Sequence, residues 1–436
     1  MIRTILHQLW NQRRQNGWIF LELLVVSFFL WTVIDPIYVL TANRAIDRGY
    51  NPEGLYVVNI GMYDATNGNF NPDMASDSMN LVAYHRIARI VHELPEVEYW
   101  TISGNQSFPN SNSWIGTQVF ADTTSLHKNE GFVHAQKYSF VATEGSDMLQ
   151  TYEIKDALTG KNLRLPEQTD GKAFISERLA KRLFESIDVI GKKIYQEDET
   201  LEIAGVFVDF KHRDYEQPYP LIITTYSEMY GSKYMPWWYN FIIRLKPGVD
   251  ESAFIQRFQQ EVGPQLSIGN FYFDSLKKFS DMSEAYAMAS GVTNKLRLQY
   301  SLTGFALLCI FLGMVGTFWI RSNARREEIG VMRSIGASQR CIVRQFLIEA
   351  WLLLTTAFVL VIPFLLYHAQ TNGLYAVEMN RYFVPNPEYW QNRFGFHFSI
   401  VLIISYLILL IIAMIGTYIP VVRAARTLPA DALRNE

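Results

Sequence analysis

The sequence predicts a membrane α-helical protein with four transmembrane helices and one large α+β domain outside the cytoplasm. Four apolar stretches are each long enough to cross a bilayer core, which takes about 20 helical residues. Between the first and the second lie some 258 residues of ordinary soluble composition. Basic residues collect in the short segments, whereas the long segment has an excess of acids. These three observations together predict the fold class.

The four predicted transmembrane helices are residues 18–40, 299–320, 345–367 and 398–420. The first is interpreted as a membrane anchor, because its apolar run is longer than the roughly 7–15 residues of a signal-peptide core. No clear A-x-A cleavage site follows it. Removal of this helix would also leave three spans and upset the charge arrangement.

The distribution of charge predicts how these helices are oriented. The N-terminal segment 1–17, the loop 321–344 and the tail 421–436 together carry a net charge of +8. The domain 41–298 carries −8, and the loop 368–397 is neutral. Because basic segments stay in the cytoplasm, both termini and 321–344 are predicted to be cytoplasmic. We therefore expect a multi-pass protein of the cytoplasmic membrane.

The outer domain alternates β-rich runs with helical periodicity, which is typical of an α+β fold. Its predicted strands are 55–62, 189–195, 201–210, 221–226, 239–245 and 271–273. Its predicted helices are 78–94, 251–262 and a third helix that Ser176 can cap and that runs through Phe184. A stalk helix is predicted for residues 277–298, because only Gly291 interrupts their helical propensity. This helix would lead directly into the second transmembrane helix. Such a helix could transmit displacement to the outer domain, and a plain connector is the alternative.

The motifs of several enzyme classes are absent from the sequence. It contains no G-x-x-x-x-G-K-[ST], no G-x-S-x-G and no H-E-x-x-H, so no catalytic, cofactor or metal site is expected in this chain. His85 and His92 lie seven apart on one predicted helix, but without Cys, Asp or Glu at ligand spacing a surface or packed pair is expected. The acidic excess of the outer domain argues against nucleic-acid binding there.

Three acids fall within the apolar stretches: Glu22, Asp35 and Glu349. A charge at the middle of a bilayer costs about 2.5–3.5 kcal/mol on insertion scales. All three lie near the ends of their predicted helices. We therefore expect them to pair with another helix or to be solvated at the interface, rather than to form an ion or proton pathway.

The loop between the second and third transmembrane helices contains its own helix signal. Ile329, Met332 and Gly336 have the spacing of a short amphipathic helix at the membrane surface. Gly336 can end that helix in a left-handed turn, and Ser338 can cap the next one. Three basic residues are then expected to be available for lipid headgroups or for acids on a partner: Arg325, Arg326 and Arg333.

Residues 325–350, RREEIGVMRSIGASQRCIVRQFLIEA, resemble the signature of the MacB/FtsX-like ABC transporter permeases. The ending 420–436 is similar to the C-terminus of that family. Three segments of the outer domain resemble the MacB-type periplasmic domain: 175–184, 190–194 and 201–210. The resemblance covers most of the chain, and residues 41–130 match it least.

The resemblance implies an FtsX-like permease domain at 299–436 and a MacB-type periplasmic domain at 41–298 in the cell inner membrane. In the family, the loop corresponding to 321–344 holds a coupling helix that docks on a separate ATPase subunit. Carried over residue by residue, the ATPase-coupling positions are Arg325, Arg326, Glu327, Glu328, Ile329, Gly330, Met332, Arg333, Gly336 and Ser338. The chain itself would be a non-catalytic membrane subunit, with ATP and Mg²⁺ bound by the partner ATPase.

The resemblance also implies partners. Four transmembrane helices are half of such a transporter, so a second copy or a paralogue is expected, and MacB-like export would add a periplasmic adaptor and an outer-membrane channel. The alternatives are a lipoprotein-releasing LolC/LolE-like permease, an FtsX-like signalling scaffold that controls a periplasmic hydrolase, and a sensor or hydrolase without an ATPase. The run Met235–Trp238 could be an adaptor-binding tip, although core packing is the more common role of such residues.

Overall fold

The computed structural model describes residues 13–104, 108–111, 115–197, 199–226, 240–372 and 387–426. They separate into two compact units. One contains the long apolar helices, and the other spans Ala42–Thr293. The run Met235–Trp238 lies outside the described residues, so the hypothesis of an adaptor-binding tip there stays a prediction.

The strands are β1 (Leu55–Met62), β2 (Val97–Gly104), β3 (Gly116–Val119), β4 (Val133–Val141), β5 (Lys172–Ser176), β6 (Lys193–Tyr195), β7 (Thr200–Phe207), β8 (Leu221–Tyr226), β9 (Asn240–Leu245) and β10 (Phe271–Lys278). The helices are α1 (Arg13–Ala45), α2 (Asp77–His92), α3 (Thr123–Lys128), α4 (Met148–Thr151), α5 (Glu177–Phe184), α6 (Glu251–Arg257), α7 (Phe279–Ala289), α8 (Val292–Ala324), α9 (Arg326–Ser334), α10 (Gln339–Asn372) and α11 (Pro387–Arg426). A π-helical turn, Phe258–Val262, continues α6, and single helical turns lie at Pro72–Met74 and Gly263–Gln265.

The outer unit is built on one mixed sheet with helices on both faces. The strand order is β10-β1-β9-β2-β4-β8-β5-β7-β6, with β3 added beside β4. The pairs β4–β8 and β5–β7 are parallel and the other pairs are antiparallel. Side chains of β1 alternate between two buried cores, Tyr56 and Val58 in one and Leu55 and Val57 in the other. A strand that is buried on both faces has no polar alternation, which explains the continuous apolar run from Leu55 to Val58.

Several predicted elements of the outer unit have the predicted bounds. Strands β1 and β8 begin and end at the predicted residues. Ser176 caps α5 by accepting from the Leu179 amide, and α5 ends at Phe184. The predicted strand 189–195 is shortened to β6, because Gly191 lies in a left-handed turn with φ +82°.

The predicted continuous stalk helix 277–298 is wrong. Residues up to Lys278 belong to β10, which pairs with β1, and α7 then ends at Ala289. Gly291 has φ +75°, a left-handed conformation that stops an α-helix, and α8 starts anew at Val292. The pairing of β10 with a distant strand outweighs the local helical propensity of its last residues.

Among the described residues, four helical segments are long and apolar enough to span a bilayer: Gly17–Ala45, Val292–Thr317, Gln339–Thr371 and Phe394–Arg426. Each is longer than its predicted span, and a 33-residue segment is ~50 Å long against a bilayer core of ~30 Å. Small residues such as Ala357 and Ala413 lie in the core that the helices share, where they permit close packing. On α11, an apolar stripe at Ile403, Leu407 and Ile411 is about half exposed, as expected of a surface that contacts lipid.

Candidate functional site

The candidate coupling segment is the short helix α9 with its two flanking turns. Only Arg325 separates α9 from α8. After α9 ends at Ser334, Gly336 takes φ +94°, and the Ser338 hydroxyl accepts a hydrogen bond from the Cys341 amide at 3.3 Å. Helix α10 begins at Gln339. The predicted left-handed stop at Gly336 and the predicted cap at Ser338 are therefore confirmed.

Arg325 fixes α9 to the first turns of α10. Its Nε and Nη2 atoms donate to Glu328 at 2.6 and 2.8 Å, and Nη1 donates to Glu349 Oε2 at 2.7 Å. The guanidinium also lies 4.5 Å from the centre of the Phe346 ring. Arg325 is 7% exposed and Glu349 is 2% exposed. The prediction that Arg325 is available for lipid or a partner is therefore wrong, because its guanidinium is buried and its nitrogens donate to Glu328 and Glu349 within the chain.

The apolar face of α9 packs on protein. Ile329 is buried against residues of α10 and α11, and Met332 packs on the edge of the same cluster. Gly330 is buried as well, so no side chain separates this turn of α9 from its neighbours. The expected contact of Ile329 and Met332 with the membrane surface is replaced by the ends of two transmembrane helices.

The outward face of α9 presents different apolar residues. Val331 is 47% exposed and Ile335, the residue that caps the helix, is 80% exposed. They are four apart, so their side chains are neighbours on one face. Arg333 is partly exposed, and the side chains of Arg326 and Glu327 lie outside the described part of the structure. The sequence prediction missed Val331 and Ile335, because the apolar spacing did not show that these two residues stay exposed.

All three intramembrane acids contact a residue of another part of the membrane unit. Glu22 of α1 accepts a hydrogen bond from the Thr317 hydroxyl of α8 at 3.2 Å. Asp35 of α1 lies 2.6 Å from His397 Nε2 of α11, and both are buried. Glu349 binds Arg325 as described above. Pairing between helices, one of the two expected outcomes, is thus observed for Glu22 and Asp35, and Glu349 pairs with Arg325 in the turn between α8 and α9.

The outer unit contains a cleft of about 970 Å³ beside the end of α1. Arg44, Asp47, Lys155, Asp214 and Glu284 are among its lining residues. Charges of both signs therefore line it, without a preference for an anion or a cation. In the part of the chain that the structure describes, no group of three or more His, Cys, Asp or Glu side chains is arranged to hold a metal ion.

The buried residues of the segment between β7 and β8 include His212 and Glu216. Burial raises the pKa of Glu216 to about 7, although nearby Arg213, 3.7 Å away, partly opposes this. Burial and the charge of Arg213 lower the pKa of His212 to about 3, and its Nδ1 lies 2.6 Å from the Tyr138 hydroxyl. The folded domain therefore favours a neutral carboxyl and a neutral imidazole.

These pKa shifts predict opposite effects of pH on the free energy of unfolding. The raised pKa of Glu216 gives a contribution that is complete below its ordinary value near 4.5 and is lost as the pH rises through about 7. The lowered pKa of His212 gives a contribution that is present above about 6.5 and is lost as the pH falls. We expect Glu216→Gln to match the wild type near pH 5 and to gain relative stability towards pH 8, by about 3 kcal/mol.

The measurement is thermal unfolding of the full-length chain in detergent between pH 5 and 9. Glu284→Gln, at an exposed glutamate, is the matched control. A difference between Glu216→Gln and wild type that stays constant over this range would contradict the expected ionisation.

Two family models match the chain. One, described as FtsX-like permease C-terminal, matches residues 300–429. The other, described as MacB-like periplasmic core domain, matches residues 38–261, which is about half of the chain. The second match includes all of residues 41–130, where the resemblance read from the sequence was weakest.

Individual relatives agree with these models. The chain is 22% identical over 355 residues to the macrolide export ATP-binding/permease protein MacB of Escherichia coli, covering 76% of this chain and 51% of that protein. The MacB of Escherichia coli strain K12 is 25% identical over 278 residues, covering 62% of this chain and 40% of that protein. The chain thus spans about half the length, or less, of these curated relatives.

Solved structures of similar regions are also found. The periplasmic region of MacB from Actinobacillus actinomycetemcomitans superposes with a TM-score of 0.33 and 10% identity, covering 55% of this chain and 94% of that chain. A domain of a permease protein from Porphyromonas gingivalis gives 0.31 and 15% identity, covering 52% of this chain and 92% of that one.

The four apolar helices and the periplasmic-type domain are consistent with a protein of the inner membrane whose large domain is periplasmic. Permeases of this kind are generally non-catalytic membrane subunits. Because the two models match the outer domain and the C-terminal helices in the expected order, this chain belongs to the MacB/FtsX-like family of ABC transporter permeases.

Proposed function

We propose that this chain is the membrane subunit of an ABC transporter complex, and that a separate ATPase subunit docks on α9. The supporting observation is the construction of α9: one face is buried in the protein, Arg325 ties it to α10, and Val331 and Ile335 project outward. A rigidly held helix with exposed apolar residues at its tip suits a groove on a partner, because little side-chain or backbone freedom is lost on binding.

The proposed orientation follows the charge distribution. The basic loop that contains α9 and both termini lie in the cytoplasm, where the ATPase binds ATP and Mg²⁺. Closure of the ATPase pair moves α9, and the movement passes through the membrane helices to the periplasmic domain. The complex contains two permease subunits, as two copies of this chain or this chain and a paralogue, since four helices are half of such a transporter.

We propose export of a periplasmic or membrane substrate as the outcome of this movement, in the manner suggested by the MacB relatives. A periplasmic adaptor and an outer-membrane channel then complete the route. Lipoprotein release and control of a periplasmic hydrolase use the same membrane machinery and differ in the periplasmic partner, so the partners that co-purify decide among them.

The test is affinity purification of the full-length chain in mild detergent, with identification of co-purifying proteins and an assay of ATP hydrolysis. The double variant Val331→Asp/Ile335→Asp places two charges on the docking face and is expected to reduce ATPase capture at least tenfold, which corresponds to about 1.4 kcal/mol. The matched control is Ile190→Asp, at an apolar residue of the outer domain that is 54% exposed.

Three results are informative. Loss of the ATPase in the double variant with capture retained by Ile190→Asp supports docking on α9. Equal capture by all three proteins rejects α9 as the docking site. Repeated purification of the wild type without any ATPase rejects the ABC transporter function and leaves a membrane sensor or scaffold.

A further inference from the structure

The last turns of α11 have one covered side and one exposed side. Val421, Ala424 and Ala425 are buried in the cluster that α11 shares with α9 and α10. On the opposite side, Tyr418 is 52% exposed and Ile419 is 47% exposed. We call this exposed side the open face of α11. Because the covered side is packed on two helices, the open face presents its side chains from a fixed support.

Two arginines extend the open face towards the end of the helix. Arg423 and Arg426 are both exposed, and they lie three positions apart, so their side chains are neighbours. In the part of the chain that the structure describes, neither arginine has a hydrogen bond or an ion pair. The N–H groups of both guanidinium groups are therefore available to an acceptor outside the chain.

Trp319 of α8 positions one of these arginines. The guanidinium carbon of Arg423 lies over the Trp319 ring, 5.1 Å from the ring centre. Cation–π attraction holds a guanidinium in place without a hydrogen-bond acceptor. Arg423 is thus held at a defined position while its N–H groups stay available for bidentate binding of a phosphate group.

A close approach of α8 and α11 fixes the distance between Trp319 and Arg423. A Cβ built at Gly416 of α11 would lie 3.5 Å from the backbone nitrogen of Val315. Small residues let two helix backbones come this close within a membrane. The approach lies about one turn from Trp319 along α8 and about two turns from Arg423 along α11.

The two arginines lie just beyond the apolar runs of these helices. The predicted transmembrane runs end at residues 320 and 420. Trp319 and Tyr418 therefore lie at the level where tryptophan and tyrosine collect in membrane–water interfaces. Arg423 and Arg426 follow residue 420 by three and six positions, which places them at the level of the lipid headgroups.

The same side of α11 is apolar ahead of Tyr418. Ile411 is 59% exposed and Ile415 is 44% exposed, and they continue the stripe that begins at Ile403. Along the helix, this side changes from apolar to aromatic to cationic. A phospholipid presents its acyl chains, its glycerol region and its phosphate in the same order.

We propose that the open face of α11, together with Trp319 of α8, is a binding site for an anionic phospholipid. Arg423 and Arg426 bind the phosphate, and an acyl chain lies along Ile415 and Ile419. A lipid with a net negative charge is favoured over a zwitterionic lipid, because its headgroup brings no cation next to the two arginines. The site is separate from the proposed ATPase docking, since α9 packs on the covered side of α11.

The experiment measures lipid binding by the full-length chain in detergent. Phosphatidylglycerol and phosphatidylcholine with identical acyl chains are titrated separately, and bound lipid is counted by native mass spectrometry. The wild type is expected to bind phosphatidylglycerol about tenfold more tightly than phosphatidylcholine. Arg423→Gln/Arg426→Gln is expected to bind the two lipids within about twofold of each other, because both cations at the phosphate are lost.

Arg340→Gln/Arg344→Gln is the matched control, because it removes two exposed arginines from the first turns of α10 and leaves the site unchanged. This control should keep the preference of the wild type for phosphatidylglycerol. Trp319→Leu keeps both charges but removes the ring, so the preference should fall by about threefold. Arg423→Lys keeps the charge without the planar donor group, and it replaces the first double variant if that protein does not fold. It should also lose about threefold.

Each result either supports or overturns the lipid site. Loss of the preference in Arg423→Gln/Arg426→Gln, with the preference kept in the control, supports it. An equal loss in both double variants shows attraction to the overall positive charge and overturns the site, as does a wild type without any preference. Displacement of bound phosphatidylglycerol by inorganic phosphate at equal concentration assigns the two arginines to free phosphate and also overturns it.

Discussion

Arg325→Met is expected to destabilise the membrane unit by about 3–5 kcal/mol and to abolish ATPase capture, because it removes the cation that pairs with the buried Glu349 carboxylate. Glu349, 2% exposed, would lose its ion pair with Arg325, and Glu328 would lose its two hydrogen bonds with Arg325. Helix α9 would keep its apolar contacts with α10 and α11 but lose the ion pair between Arg325 and Glu349. The measurements are thermal unfolding in detergent and co-purification of the ATPase.

The double variant Arg325→Met/Glu349→Met is the internal control for this prediction. An apolar pair of similar volume often replaces a buried ion pair with little loss of stability, so most of the unfolding temperature should return. Arg340→Met, at an exposed arginine of the first turn of α10, should behave as the wild type. If Arg325→Met unfolds at the wild-type temperature and captures the ATPase normally, Arg325 does not anchor α9.

Gly49→Ala is expected to prevent accumulation of folded protein, with a loss of more than about 3 kcal/mol in the free energy of unfolding. The added Cβ would lie 2.4 Å from the Asp209 carbonyl oxygen and within 2.7 Å of two atoms of Phe210. Two of these three atoms belong to the backbone and the third is a Cβ, so no side-chain rotation relieves the overlap. The yield of monodisperse full-length chain and its unfolding temperature measure the effect.

Gly191→Ala isolates the conformational part of that loss. Gly191 has a similar backbone, φ +82°, but a Cβ there meets no atom within 4 Å. Alanine at this position should cost only about 1–2 kcal/mol, from the left-handed conformation alone. Equal losses for the two variants would show that the approach of residue 49 to the segment 208–216 is not tight.

Local patterns were sufficient for elements whose bounds depend on neighbouring residues. Ser176 precedes a helical run and caps α5, and Gly336 ends α9, because cap geometry involves only residues a few positions apart. The long apolar runs identified the four membrane helices because a bilayer needs only length and hydropathy. The helical residues beyond these apolar runs carry no comparable signal, so the predicted spans are shorter than the helices.

The sequence predicted where the candidate site lies along the chain, but not which apolar residues of α9 are exposed. The spacing of Ile329 and Met332 predicted the apolar face of α9, and that face is indeed the buried one. Which surface covers it, and which apolar residues remain exposed, depends on the ends of α10 and α11. Val331 and Ile335 could therefore not be chosen from the spacing alone.

The number of membrane helices, the large outer domain and the position of α9 were all predictable from the amino-acid sequence, because apolar length, charge bias and capping residues are local properties. Three features required the folded structure: Arg325 is internal, Asp35 contacts His397, and residues 277 and 278 belong to a strand. Asp35 and His397 are 362 positions apart, and β10 pairs with a strand near the other end of the domain. Contacts of this kind depend on how distant segments pack, and local propensity yields where they supply more free energy.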